Sequence, residues 1–226
     1  MELQKDNIVP IMKELNHSIQ LYAKNFSFEE KNTAGLINGA VQALSNEEVS
    51  QVWKSFQSYN DIIKDGPEPT EQERDRTIRH LKDFLKKFNL KVSDDAFSDI
   101  GNDDFVEIYS SNHKQMFRSV NFFNYCSYDL ASLTFMPWNE LYYRQDSDTQ
   151  RMIQSVTHVL ANSLPYYSAE SAKVKDHILT ELISEKKFRH RIKSCSCVFE
   201  NEENTTIGYL TVVNTKEITT KLNIVH

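Results

Sequence analysis

Two long alternating runs near the end of the chain, KFRHRIKSCSCVFE (187–200) and TTIGYLTVVNT (205–215), constrain its fold most. They are rich in β-branched and aromatic residues, and apolar and polar positions alternate along them. The segment between them is NEEN (201–204), four polar residues suited to a turn. Alternation with period two places successive side chains on opposite faces of a strand, so the pair reads as an antiparallel hairpin with one face turned to a core. A hairpin alone is marginal in water, so partners have to come from the rest of the chain.

Upstream, DFVEIYS (104–110) reads as a strand, and QMFRSVNFF (115–123) as a second one joined to it by the turn SNHK. SDTQRMIQSVTHVLANSL (147–164) has helical periodicity, with Met152, Ile153, Val156, Val159 and Leu160 on its apolar side. The order strand, strand, helices, strand, strand predicts an α+β domain: a five-stranded antiparallel sheet with helices on one face.

Residues 1–95 follow a different period. Ile8, Met12, Leu15, Ile19 and Tyr22 form one stripe, and Pro10 is tolerable in a first helical turn. Three Ser/Thr-x-x-Glu boxes follow, at Ser27–Glu30, Ser45–Glu48 and Thr70–Glu73, each of which can cap a helix. The helices they open carry Leu36, Ile37, Ala40, Val41 and Leu44; then Val49, Val52, Trp53, Phe56 and Ile63; then Ile78, Leu81, Phe84, Leu85 and Phe88. Pro67 and Pro69 separate the last two. This predicts a small antiparallel helical bundle, with the polar stretch KVSDDAFSDIGND (91–103) as boundary to a second domain over 103–226.

Composition narrows the function classes. The 226 residues are 39% hydrophobic and carry a formal charge of −6, which provides no global footprint for nucleic acid or an anionic membrane. Three cysteines, Cys126, Cys195 and Cys197, make no disulfide framework and fit a reducing cytoplasm. The opening MELQKDNIVPIMKEL does not read as a signal peptide, and no apolar run approaches the ~20 residues of a membrane span. No Gly-rich phosphate loop, G-x-S-x-G, H-E-x-x-H or kinase signature is present, so a non-enzymatic role is expected.

The middle of the chain is crowded with aromatics: Phe117, Phe122, Phe123, Tyr125, Tyr128, Phe135, Trp138, Tyr142 and Tyr143 flank the short segment SYDLASL (127–133). They could fill an ordinary core or line a pocket. Residues 103–219 resemble a PAS domain, the sensor module of bacterial kinases and transcription regulators. FVEIYSSNHKQMFRSVNFF is similar to the family's opening hairpin, with Asn121 in the turn that follows it. SYDLASL resembles the segment that opens its short helices, with Ser127 in place of the usual Gly. PWNELYYRQDSDTQRMIQSVTHVL resembles the stretch leading into its long helix, without the usual Pro. The final hairpin ends in Glu217, Ile218 and Thr219, where the family often has Asp-Ile-Thr.

The resemblance implies a sensor of a small ligand or partner that relays its state through helices and a homodimer interface. SYDLASL would be a lid over the sheet, and Phe117, Cys126, Trp138, Tyr142 and His158 are the pocket candidates. The alternative is a protein-interaction or dimerisation module that docks a partner through its helical half.

No cofactor is identified. Haem-binding members take a His from the long helix, which singles out His158, but one imidazole hydrogen-bonded to backbone is the plainer reading. Asn124-Tyr125-Cys126 precedes SYDLASL, whereas the reactive Cys of flavin-binding members follows that segment, so Cys126 reads as a small buried hydrophobe. Cys195, Cys197 and His190 lack the second ligand pair a zinc site wants. The basic run Lys187, Arg189, Arg191, Lys193 reads as one solvated strand face. The tail TKEITTKLNI (215–224) resembles the start of a LuxR-type helix-turn-helix without its recognition helix, so direct reading of DNA is not expected.

Overall fold

A computed structural model describes residues 8–25, 44–64, 70–128, 132–133, 136, 138–172 and 176–218. The expected second helix, the Ser27–Glu30 box and the helix-turn-helix-like tail beyond 218 lie outside them. Three helices open the described chain: α1 (Ile8–Asn25), α2 (Asn46–Lys64) and α3 (Glu73–Lys87). The box at the start of α2 forms as expected. The Ser45 amide donates to Glu48 Oε2 at 2.9 Å, and the Glu48 amide donates to Ser45 Oγ at 3.3 Å. The box expected at Thr70 does not form. The helix starts later, after Gln72 in extended conformation, and Glu73 pairs with Arg76 at 3.0 Å instead.

The boundary segment is folded. After β1 (Leu90–Lys91) comes a short helix α4 (Asp94–Ser98), capped by the Ser93 hydroxyl accepting from the Asp95 amide. Strands β2 (Asp104–Ser110) and β3 (Gln115–Arg118) follow, then a 3-10 turn over Val120–Asn124, where the sequence suggests continued strand. Asn121 there donates from Nδ2 to the Asp104 carbonyl at 3.0 Å, tying the turn to the start of β2. Next are α5 (Trp138–Leu141), β4 (Tyr142–Tyr143), the long helix α6 (Asp146–Ala161), β5 (Tyr167–Ser168), α7 (Ala169–Ala172) and β6 (His177–Glu181). The expected hairpin, β7 (Lys187–Glu200) and β8 (Thr206–Glu217), completes the described residues.

Among the described residues the sheet is antiparallel and has eight strands rather than five. Its order is β3-β2-β8-β7-β6-β4, and β1 and β5 both pair with β7. The three extra strands are two residues long, too short to carry a periodic signal of their own. β6, β5 and β1 line up along the outer edge of the long β7, at Lys187–His190, Ser194–Cys195 and Phe199–Glu200. That edge is therefore covered rather than left as an open template. Gly208 permits the β2–β8 approach, because a Cβ there would sit 2.1 Å from the Tyr109 carbonyl oxygen.

The second correction is that helices cover both faces of the sheet. One buried cluster joins Ile8, Met12 and Leu15 of α1, Phe56 and Tyr59 of α2, and Leu81 and Phe84 of α3 to Val106, Ile108, Phe117, Leu210 and Val212 of the strands. Among the described residues, the N-terminal helices thus share one buried cluster with the sheet. On the opposite face, Phe105, Tyr109, Ile192, Cys195, Tyr209 and Val213 pack under the 3-10 turn, α5 and α6. Strand β2 is buried along its whole length because each of its faces meets a different helical layer.

Two bulges decide which side chain faces which layer. In β7 the pairing moves from Ile192↔Val213 to Ser194↔Val212, leaving Lys193 as the extra residue. Cys195 and Cys197 are thereby turned onto the face of α6. Lys193 is not on the solvated face with Lys187, Arg189 and Arg191. It donates to Asp104 Oδ2 at 2.7 Å, a buried carboxylate that also accepts from the Gly101 amide at 2.7 Å. In β3 a second bulge sets Arg118 opposite Glu107 and Phe117 opposite Ile108.

Candidate functional site: a cavity beneath the helical layer

Between the inner face of the sheet and the layer formed by the 3-10 turn, α5 and α6 lies a cavity. The centres of water molecules can occupy about 70 Å³ of it. At roughly 10–15 Å³ per water this is room for about five waters, or for a small organic molecule. Its floor is built from alternate residues of neighbouring strands: Glu107 and Tyr109 of β2, Thr211, Val213 and Thr215 of β8, and Phe188, His190 and Ile192 of β7. Its roof is Phe122, Cys126, Trp138, Met152 and Val156. Tyr142 and Arg144 reach in from one side, two apart in an extended segment that leaves Tyr143 in solvent.

The charged groups set the chemistry of the cavity. Arg118 is 2% exposed and its Nη2 lies 2.6 Å from Glu107 Oε1 and 2.9 Å from the Tyr109 hydroxyl. Its guanidinium also stacks on the Phe122 ring, 4.0 Å from the centroid. Burial works against its charge, yet Glu107, acting together with Tyr109, Tyr142 and Cys126, outweighs that and holds the group above the ordinary arginine range. Arg144 is 7% exposed and lies over Trp138 (4.7 Å) and Tyr142 (5.7 Å). Burial pushes it down to about 10, so it is still a cation at neutral pH.

Farther along, His190 Nδ1 is 2.9 Å from the Thr215 hydroxyl, and its ring meets His177 edge-on at 5.1 Å. Burial, then the Arg144 charge, hold His190 well below the usual imidazole range, so it is neutral. Tyr142 is raised by the same burial and is a phenol at any physiological pH.

No family model matches the chain, and no curated protein matches it. Among solved structures it is similar to the PAS domain of a protein from Colwellia psychrerythraea. The identity is 14% and the TM-score 0.38, over 62% of this chain and 97% of that one. The chemistry of the site is therefore read from its own residues.

Of the five residues singled out in the sequence, three line the cavity: Cys126, Trp138 and Tyr142. Phe117 does not. The β3 bulge pairs it with Ile108, so it faces the N-terminal helices, stacked on Tyr59 at 5.5 Å and tilted on Phe84 at 5.0 Å. His158 does not either. It is exposed on the outer side of α6, with Nδ1 3.1 Å from Asn162 Nδ2 and its ring beside Tyr167, so it aims no nitrogen into the cavity. Among the described residues no group of three or more His, Cys, Asp or Glu side chains is gathered as for a metal.

Much of the expected lid lies outside the described residues. Two of its described residues are buried: Tyr128, whose hydroxyl donates to the Leu141 carbonyl and accepts from the Leu182 amide, and Leu133. The cavity residues missed from sequence are the charged ones, Glu107, Arg118 and Arg144. Glu107 carries one available signal, since it interrupts an apolar run within a strand.

Proposed function

We propose that this chain is a ligand-sensing module of PAS-like character: a small molecule occupies the cavity, and its presence is passed to the N-terminal helices. The carrying observation is the cavity itself, walled mostly by apolar and aromatic side chains and holding a few polar groups, the usual composition of a small-molecule site. The resemblance of residues 103–219 to PAS motifs supports the same reading.

The route to the helices is short. Arg118 presents its guanidinium to the cavity, while its backbone carbonyl accepts from the Tyr59 hydroxyl of α2. The next-but-one carbonyl, of Met116, accepts from Ser55 of the same helix at 3.1 Å. A ligand that shifts Arg118 alters the strand on which α2 is hydrogen-bonded, which is a differential contact of the kind a population shift requires.

Binding rather than chemistry is favoured by the state of the potential nucleophiles and bases. Burial pushes the Cys195 thiol up, away from thiolate, and His190 is neutral with Nδ1 committed to Thr215.

A thermal-shift screen of small organic acids, amides, alcohols and amines tests this. Thr211 lies mid-sheet facing the cavity, opposite Glu107 on one side and Cys195 on the other, so Thr211→Trp fills it. Ligands of the cavity raise the wild-type Tm by several degrees by mass action and lose that effect in Thr211→Trp. If no compound distinguishes the two proteins, the reading fails.

A further inference from the structure

The cavity is lined by two guanidinium groups and one carboxylate. Glu107 is taken by Arg118, at 2.6 Å. The other buried carboxylate nearby, Glu181, does not line the cavity; it accepts from the Ser127 amide at 2.8 Å and from the Ser184 hydroxyl. Arg144 is left, among the described residues, without an anionic partner. Its Nε and Nη1 are buried and make no hydrogen bond, and Nε and Nη1 of Arg118 are in the same condition.

A buried charge without a partner is among the most costly features a fold can keep. The faces of Trp138 and Tyr142 offset part of that cost by cation–π attraction. A ring face accepts no N–H in the guanidinium plane, so the demand for a negatively charged acceptor persists. Water could accept the N–H groups but would leave the charge unbalanced.

We infer that the occupant is a small organic monocarboxylate, with its carboxylate on Arg144 and its apolar body against Trp138, Tyr142 and Phe122. This rests on the cavity being a ligand site. The single uncompensated cation sets the charge at one. Guanidinium N–H groups match carboxylate oxygens. The apolar wall of Leu179, Phe188 and Val213 requires a hydrocarbon portion, and the room for about five waters keeps it small.

The chain has two tryptophans, Trp53 and Trp138, so Trp53→Phe leaves Trp138 as the reporter against which Arg144 lies. That protein is titrated with matched acid–amide pairs: benzoate and benzamide, phenylacetate and phenylacetamide, hexanoate and hexanamide. At least one acid changes the Trp138 emission saturably, with its amide at least about tenfold weaker. Adding Arg144→Gln weakens the acid about 100-fold and leaves the amide within about threefold. The same substitution leaves the Tm of the ligand-free protein unchanged or raises it, because it removes an unpaired buried charge; a structural role would lower it.

Amides that bind as well as acids, or undiminished acid binding by the Gln variant, overturn the monocarboxylate inference while the cavity reading stands. Silence from every acid overturns it too, and the screen against Thr211→Trp then decides the cavity reading separately.

Discussion

Replacing Glu107 by Ala is expected to lower the unfolding free energy by about 3–5 kcal/mol, the cost of leaving a buried cation without its partner. Arg118 cannot escape to solvent: its guanidinium is enclosed by Glu107, the Tyr109 hydroxyl and the Phe122 ring. The sign reverses when both partners go. Glu107→Leu with Arg118→Met removes two desolvated charges together, and that double variant is expected to fold within about 1 kcal/mol of wild type or more stably. Urea unfolding of the wild type, the single and the double variant checks this. A single variant within about 1 kcal/mol of wild type would mean that the pair is not buried as described.

Acidification from pH 7 to pH 5 is expected to cost about 2 kcal/mol of stability or more, driven by two histidines. His80 of α3 is held down to about 3, first by burial and then by the Arg79 charge, against a weaker opposing pull from Glu71. His190 is held well below its usual value by burial, then by Arg144 and His177. Both folded values lie below the ordinary 6.5 of the unfolded chain.

Between those values the unfolded state binds more protons, so stability rises with pH; it is fully present above 6.5 and is lost as pH falls below it. The His80 imidazole accounts for about 2 kcal/mol between pH 7 and 5, and His190 adds to the loss in the same direction. Glu73, raised by burial, works in the opposite sense and offsets a part. Glu14, Glu48 and Glu71 are lowered from 4.5, so their losses begin only at lower pH. Denaturant midpoints measured at both pH values, in wild type and in a His80→Asn, His190→Asn variant, are the check. The double variant should flatten the dependence, and equal wild-type midpoints at pH 7 and 5 would refute it.

The elements legible in the sequence are those whose period extends over several turns or pleats. The stripes of α1, α2 and α3, the alternation of β7 and β8 and the apolar side of α6 each declare themselves, although Ile153 on α6 proves exposed. The layering was less legible. DFVEIYS reads as a strand with one wet face because Glu107 alternates with apolar residues, yet Glu107 is polar toward a cavity rather than toward solvent.

Parity fails at bulges. One extra residue, Lys193, turns Cys195 toward α6, and the irregularity in β3 turns Phe117 away from the cavity; neither carries a local sequence signal. The two-residue strands β1, β4 and β5 exist only because longer strands present edges to them. Arg144 follows two tyrosines in a polar-looking stretch, and only the fold shows that it is enclosed.

The most direct measurement of the central claim, that the cavity takes a small molecule, is native mass spectrometry after incubation with a cell extract. Wild type and Thr211→Trp are compared under conditions that keep the fold. The expected result is a discrete added mass on the 26.4 kDa wild-type chain, released on denaturation and absent from the filled variant. Bare masses for both proteins, or the same added mass on both, would contradict it.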